Sequence, residues 1–401
     1  MTDIPSGIES VELVRLLEEI AAGAAERERL RIAPHEQIRQ LGRAGLGALR
    51  VPRAHGGAER SLRDLFAFVI RLAAADSNIA QSLRAHYHFV EGRLASADQA
   101  QRDRWLPEVV RGTIFGNATV ERTTRDIFGF ETTLTPSANG DGSHVLSGTK
   151  YYSTGSLYAD RVTVAAMLPD GSVGSAIVPA DRDGVTLEDD WDGMGQRLTA
   201  SGTSRFEDVL VAADELLPSP IGRAAAAPRS AFLQLYLVAV MAGIVRNAAT
   251  DAARMARERR RTFSHASGEL PRVDPLVQQV VGRIASDAFA CEAVVLAAAA
   301  GLDAAAASAG STADGAPDPD AVHEGALLTA QAQVVVAELA PRAAELLFDA
   351  GGASATSREQ NLDRHWRNAR TIASHNTAMY KARAIGDLLI NEERLPTNGF
   401  F

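Results

Sequence analysis

The feature that most constrains this fold is a change in the period of its apolar residues, twice, along one chain. From residue 8 to about 112 they recur at helical spacing, as in Val11, Leu13, Val14, Leu16, Leu17 and Ile20, and again in Leu62, Leu65, Phe66, Val69, Ile70 and Leu72. Val51-Pro52, His55-Gly56-Gly57 and Pro107 interrupt that pattern as loops. From Phe115 to about Leu217 the texture becomes short β-branched and apolar runs separated by turn residues such as Asn139-Gly140-Asp141-Gly142. Strands are expected at Phe130–Thr135, His144–Ser147, Val162–Met167, Gly174–Val178 and Thr203–Val209. No helical stretch intervenes, so an antiparallel sandwich or barrel is expected rather than a βαβ unit. Helical period then returns in four blocks, Phe232–Arg259, Pro275–Leu302, His323–Phe348 and Asp363–Leu389, which suggests a four-helix bundle. The reading is an α+β chain of three domains: helical over 1–113, β over 114–220, and a helical bundle over 221–401. Many of the 72 alanines fall in the last domain, where small side chains let helices approach closely.

Charge and cysteine content narrow the function classes. A net charge of −9 disfavours a polyanion-binding surface, so no nucleic-acid partner is expected. One cysteine, Cys291, cannot form an internal disulfide or a Cys-built metal site. Met1–Ser10 shows no secretory signal pattern, and the apolar run Ala293–Leu302 is about half the length that spans a bilayer. The expectation is a cytoplasmic protein without a membrane partner.

Common catalytic signatures are missing. Gly142 and Gly148 are spaced wrongly for a phosphate loop, with Thr149 standing before Lys150. Gly193-Met194-Gly195 lacks the third glycine and the following helix of a dinucleotide fingerprint, and there is no G-x-S-x-G elbow. His86 and His88 are two apart, which on a helix points them to nearly opposite faces, while His88 and Glu91 make only two ligands, so no metal is expected.

The order α, β, bundle resembles the acyl-CoA dehydrogenase superfamily, and local strings resemble one branch of it more specifically. Gly116-Asn117-Ala118-Thr119-Val120-Glu121, Gly148 through Gly155 (Gly-Thr-Lys-Tyr-Tyr-Ser-Thr-Gly), and Asp190 through Gly202 look like β-domain motifs of flavin-dependent monooxygenases similar to dibenzothiophene monooxygenase. Gly351 through Thr356 and Leu362 through Thr371 are similar to C-terminal motifs of that branch. Dehydrogenases of the superfamily commonly carry a base in a Glu-Gly-Thr context near the C-terminus; aligned on the threonine, this chain reads Ser374-His375-Asn376-Thr377.

The resemblance implies reduced FMN, delivered by a separate NAD(P)H-dependent reductase, reacting with O2 to a C4a-hydroperoxide that oxygenates a small, largely apolar molecule at sulfur, nitrogen or carbon. FAD is the alternative flavin. It implies that His375, Ser153, Asn117 and His86 serve catalysis, His375 as an imidazole titrating near neutrality. It places Asn117, Thr119, Ser153, Thr154 and Trp191 about the flavin ring. Arg261, Phe263, Gly351, Gly352, Ala353, Ser354 and Arg370 are candidates for the flavin phosphate, with Arg261 reaching it across a subunit interface. Without the resemblance, Ser153-Thr154-Gly155 reads as a turn, Gly351-Gly352 as a helix C-cap, and the arginines ending a helix need no ligand. A homotetramer packed through the bundle is expected by analogy. The alternatives are an FAD-dependent acyl-CoA dehydrogenase and a non-catalytic helical assembly protein.

Overall fold

The computed structural model describes residues 10–122, 130–217, 227–309, 316–397 and 401. Most of the start of the chain and residues 310–315 of the Ser308–Asp320 loop therefore lie outside the described residues. Six helices come first: α1 (Val11–Leu30), α2 (His35–Arg43), α3 (Leu62–Ala75), α4 (Ser77–Ser82), α5 (Arg84–Leu94) and α6 (Gln99–Val110). Their starts follow from capping chemistry. Ser10 caps α1, Ser61 and Asp64 form a reciprocal capping box on α3, and Asp76 and Asp98 cap α4 and α6. Asp76 also holds Arg27 of α1 at 2.9 Å, so one carboxylate both starts a helix and fixes its neighbour.

The middle region is one mixed sheet: β1 (Phe115–Ala118), β2 (Thr133–Pro136), β3 (His144–Lys150), β4 (Arg161–Met167), β5 (Val173–Pro179), β6 (Val185–Leu187), β7 (Ser204–Val211) and β8 (Leu216–Leu217). Its order is β6-β7-β3-β2-β4-β5-β8, with β1 against β4. The antiparallel expectation needs correction at two places, since β1 and β2 both run parallel to β4. The short strands β1, β6 and β8 carry too few residues for an alternation to register. Leu134, Leu146, Val162, Val164, Val178, Phe206 and Val209 fill the β core. The β3–β7 register shifts between Leu146 and Gly148, where a Cβ would lie 2.6 Å from the Thr132 Cα.

Five helices follow: α7 (Ala227–Glu258), α8 (Pro275–Ser308), α9 (Pro319–Gly351), α10 (Arg364–Ala373) and α11 (Ala378–Asn391). The fourth expected block is thus two helices, broken at Ser374-His375-Asn376-Thr377, where side chains that compete for backbone hydrogen bonds favour a cap or turn. α7 runs through the core, and Gly243 lets it approach α3 so closely that a Cβ would meet Ile70 O at 2.5 Å. By length and composition α7 and α8 are both apolar enough to cross a membrane, beyond what the short run Ala293–Leu302 suggested. The α7 window is 83% buried in this fold, which accounts for its apolarity, whereas the α8 window is 39% buried.

Buried polar side chains key the three regions together. Glu28 of α1 accepts from Asn78 of α4 at 2.9 Å and Asn368 of α10 at 2.8 Å. Asn368 in turn accepts from the Gln196 backbone, and Asn78 from that of Leu198. Such a network forms only when all three regions are docked.

Candidate active site

The Tyr151–Gly155 segment leaves β3 in a conformation that few sequences permit. Tyr152 has φ +57°, and Gly155 has φ +80° with no room for a Cβ, which would stand 2.1 Å from Ser82 O at the end of α4. The segment is pinned to the 196–203 loop by Ser153 N–H to Gly202 O at 3.2 Å and Gly155 N–H to Thr199 O at 2.8 Å. Thr154, Ser201 and Thr199 form a hydroxyl chain with both steps at 2.8 Å. Ser153 is buried, and its hydroxyl has no hydrogen-bond partner among the described residues. Asn117 joins the cluster from β1: its backbone N–H and C=O bracket the Ser156 hydroxyl at 3.1 and 2.8 Å, and its side chain is half-buried, as is neighbouring Thr119. Trp191 is half-buried, edge-on to Tyr152 at 6.1 Å, with its indole N–H 3.4 Å from Gly195 O. Asn117, Thr119, Ser153, Thr154 and Trp191 are therefore brought to one place.

A buried ion pair supports that place. Lys150, the last residue of β3, donates to Glu121 at 2.6 Å, and Glu121 also accepts from the backbone of Glu131 and Thr132. Burial alone would raise the Glu121 pKa, but Lys150 and the backbone donors outweigh it and hold the carboxyl below its ordinary value.

His375 occupies the break between α10 and α11. It is exposed to solvent in the single chain, and the protein around it together with the positive Arg84 lowers its pKa, which favours the neutral imidazole. The expectation of an imidazole titrating near neutrality is corrected accordingly. Its neighbour Asn376 is fixed from two helices, donating to Gln234 of α7 at 3.1 Å and accepting from Gln333 of α9 at 2.9 Å. Arg84, the first residue of α5, donates its Nε to Leu233 O at 3.3 Å, beside Gln234. Sequence reasoning missed Arg84; its place two residues beyond Ser82, which packs on Gly155, becomes visible only in the fold.

His86 is not at this site. It is fully buried, with Nε2 3.0 Å from Gly47 O and Nδ1 accepting from Phe115 N–H at 3.2 Å, so both ring nitrogens are consumed in joining α5 to β1. Burial lowers its pKa to about 4, outweighing the hydrogen bond to Gly47. A catalytic part for His86 is therefore withdrawn. His88 shares the helix face of Arg84 at i,i+4 spacing. Glu91, considered with His88 as a ligand pair, instead holds Arg50 at 2.7 Å.

The phosphate candidates form a second cluster elsewhere. Arg259 donates to Ala350 O and Gly351 O and lies over the Phe263 ring at 5.7 Å. Gly352 (φ +59°) caps α9, its N–H donating to Phe348 O, so that donor is already used. The C-cap reading of Gly351-Gly352 thus describes the local geometry, and Arg259 is the arginine engaged with it. Arg261, Phe263, Ala353 and Ser354 are exposed beside it, and Arg370 is exposed on α10. Asp363 and Arg367 form the expected i,i+4 pair at 2.7 Å. Leu233, in the second turn of α7, and Glu258, its last residue, mark the two places along that helix. At 1.5 Å per residue the His375 break and the Arg259 cluster are roughly 40 Å apart along it. One chain does not bring them around one ligand.

Comparison with known proteins fits this arrangement. Models of the N-terminal, middle and C-terminal domains of acyl-CoA dehydrogenase match residues 14–113, 118–209 and 235–380. The chain belongs to the acyl-CoA dehydrogenase family. Within it, the chain is 29% identical to the probable FMNH2-dependent monooxygenase SfnC of Pseudomonas putida, over 96% of this chain and 94% of that protein. It is 27% identical to the dibenzothiophene monooxygenase of Mycolicibacterium goodii, over 94% and 91%. FMN-bound TdsC from a Paenibacillus species superposes with a TM-score of 0.87 at 28% identity, covering 96% of this chain and 98% of that one.

The residues of this family member suit a flavin. The buried Ser153 hydroxyl, without a partner among the described residues, is a polar group that a ligand edge would satisfy. Where the dehydrogenase base is expected, the chain carries His375, with the cationic Arg84 as its electrostatic neighbour, and neither is a carboxylate.

Proposed function

We propose that the chain is a two-component flavin-dependent monooxygenase that uses reduced FMN from a separate NAD(P)H-dependent reductase to place one atom of O2 on the sulfur, nitrogen or carbon of a small, largely apolar molecule. The observation that supports this reading is the Tyr151–Gly155 turn, whose buried Ser153 hydroxyl has no partner among the described residues, in a chain that carries histidine where the dehydrogenases carry glutamate. When bound, reduced FMN supplies the electrons that activate O2. Ser153, Thr154, Asn117 and Thr119 then hold the polar edge of the ring, and Trp191 walls it. His375, neutral, presents one ring N–H as a donor and one nitrogen as an acceptor, so it stabilises developing negative charge and passes a proton without first losing one. The hydrogen-bonded frame about Asn376 holds the 374–377 break in place.

The roughly 40 Å between the two clusters supports a site completed by a second copy, with Arg261, Phe263, Ala353, Ser354 and Arg370 of that copy about the flavin phosphate. The exposed Phe289 and the Ala-rich outer face of α8, with Ala285, Ala293, Ala297 and Ala300, suit a bundle-to-bundle contact in a homotetramer. The lone buried Cys291 suits the cytoplasm.

The test is rapid mixing of the protein and reduced FMN with O2, following flavin oxidation and hydrogen peroxide release. The proposal expects peroxide release well below the protein-free rate. Peroxide at the protein-free rate overturns it, and an anaerobic yellow FAD enzyme bleached by an acyl-CoA would install the dehydrogenase reading.

A further inference from the structure

Arg84 has a charge that nothing in the described fold answers. Its Nε hydrogen-bonds Leu233 O at 3.3 Å, while its two terminal nitrogens make no hydrogen bond to a described residue. No acidic side chain among the described residues pairs with it. This differs from the other guanidiniums near the core: Arg27 has Asp76, Arg50 has Glu91, Arg161 has Glu108, Arg364 has Asp251 and Arg367 has Glu28. Burial lowers the Arg84 pKa to about 10, which still leaves it charged. A half-buried cation without a counter-charge is costly to keep, and a carboxylate neighbour would have removed that cost.

Its position defines its neighbours. Arg84 stands two residues beyond Ser82, against which Gly155 of the Ser153 turn packs, and its Leu233 anchor adjoins Gln234, which holds Asn376 beside His375. Through Leu233 the guanidinium is tied to the helix whose Gln234 holds Asn376, and its charge acts on His375. A planar fork of N–H donors matches two oxygens of one oxyanion bidentately.

We propose that Arg84 receives a negatively charged oxygen group of the substrate, so that the preferred substrates are small organic anions, carboxylates, sulfinates or sulfonates, with an apolar body that carries the oxygenated atom near His375. The assignment rests on the monooxygenase reading for the identity of the reaction but not for the anion site itself.

The experiment measures binding of matched probes, benzoate against benzamide and benzenesulfinate against methyl phenyl sulfoxide, to the full-length protein with and without reduced FMN under anaerobic conditions. Binding of reduced FMN alone is measured in parallel. Wild type is expected to bind each anion about 10- to 100-fold tighter than its neutral counterpart, the scale of charge-assisted pairing. Arg84→Gln should abolish that preference while leaving neutral probes and reduced FMN unaffected, and Arg84→Lys, which keeps a charge without the fork, should retain part of it. Equal binding of anion and neutral probe by wild type, or a preference that survives Arg84→Gln, overturns the proposal. A loss of reduced-FMN affinity in Arg84→Gln also overturns it, because the guanidinium would then belong to the flavin. If wild type binds no flavin but Arg84 still selects anions, the monooxygenase reading fails and the anion site stands.

Discussion

Replacing Lys150 by methionine tests whether the buried Glu121–Lys150 pair underlies the flavin turn. The side chains are 1% and 0% exposed and 2.6 Å apart, and methionine fills nearly the same volume without the charge. Breaking a buried pair from one side costs about 3–5 kcal/mol, chiefly because the remaining charge stays buried. Glu121 keeps the backbone N–H groups of Glu131 and Thr132 at 2.7 and 3.0 Å, so the lower end, about 3 kcal/mol, is expected at pH 7. The sign with pH follows from Glu121. Its pKa in the folded wild type is depressed, so the pair's contribution is present above the unfolded carboxyl value and is lost as pH falls through the folded one. In Lys150→Met the carboxyl is free to protonate, so the deficit relative to wild type should shrink as the pH falls toward 4. Adding Glu121→Gln, which keeps an acceptor for the backbone donors, should recover more than half of the loss. Urea unfolding followed by circular dichroism from pH 4 to 8 measures this, and reduced-FMN affinity should fall in the single variant because Tyr151–Gly155 follows directly. A deficit under 1 kcal/mol at pH 7, or one that is constant with pH, refutes the reasoning.

Three further outcomes are expected. His375→Ala should lower product formed per flavin oxidised by roughly 10²-fold at nearly unchanged stability; because its pKa is lowered, wild-type activity should show no His375-dependent inflection between pH 5.5 and 8, and finding one near 6.5 would refute the neutral-imidazole assignment. His86→Ala should destabilise by about 2–4 kcal/mol, because it orphans Gly47 O and Phe115 N–H in the core; a variant of normal stability without activity would return His86 to catalysis. Phe289→Arg, at a position 77% exposed in the single chain, should yield a species smaller than a tetramer in light scattering, and an unchanged mass would remove that face from the assembly.

Legibility in the sequence tracked the range of the interaction. All five expected strands overlap observed strands to within three residues at each end, because alternation is local. The fourth bundle block looked continuous, since Ile372 and Ala378 keep helical apolarity on either side of the break; Ser374, whose hydroxyl donates to Arg370 O, ended α10 through backbone competition that periodicity does not register. Motif strings gathered Asn117, Ser153, Thr154 and Trp191 into one candidate site, and the fold places them together.

The sequence by itself determined the α, β, α order, the turn at Gly155, the helix caps and the histidine in place of a glutamate. These follow from neighbours along the chain. Tertiary structure alone decided which histidine is core and which stands exposed at a helix break, that Arg259 and not Arg261 holds the Gly351 carbonyl, that Arg84 has no counter-charge among the described residues, and that the two candidate clusters stand far apart along α7. Burial and pairing depend on residues far away in sequence, and a side chain's chemistry is set by whichever of them the fold brings against it.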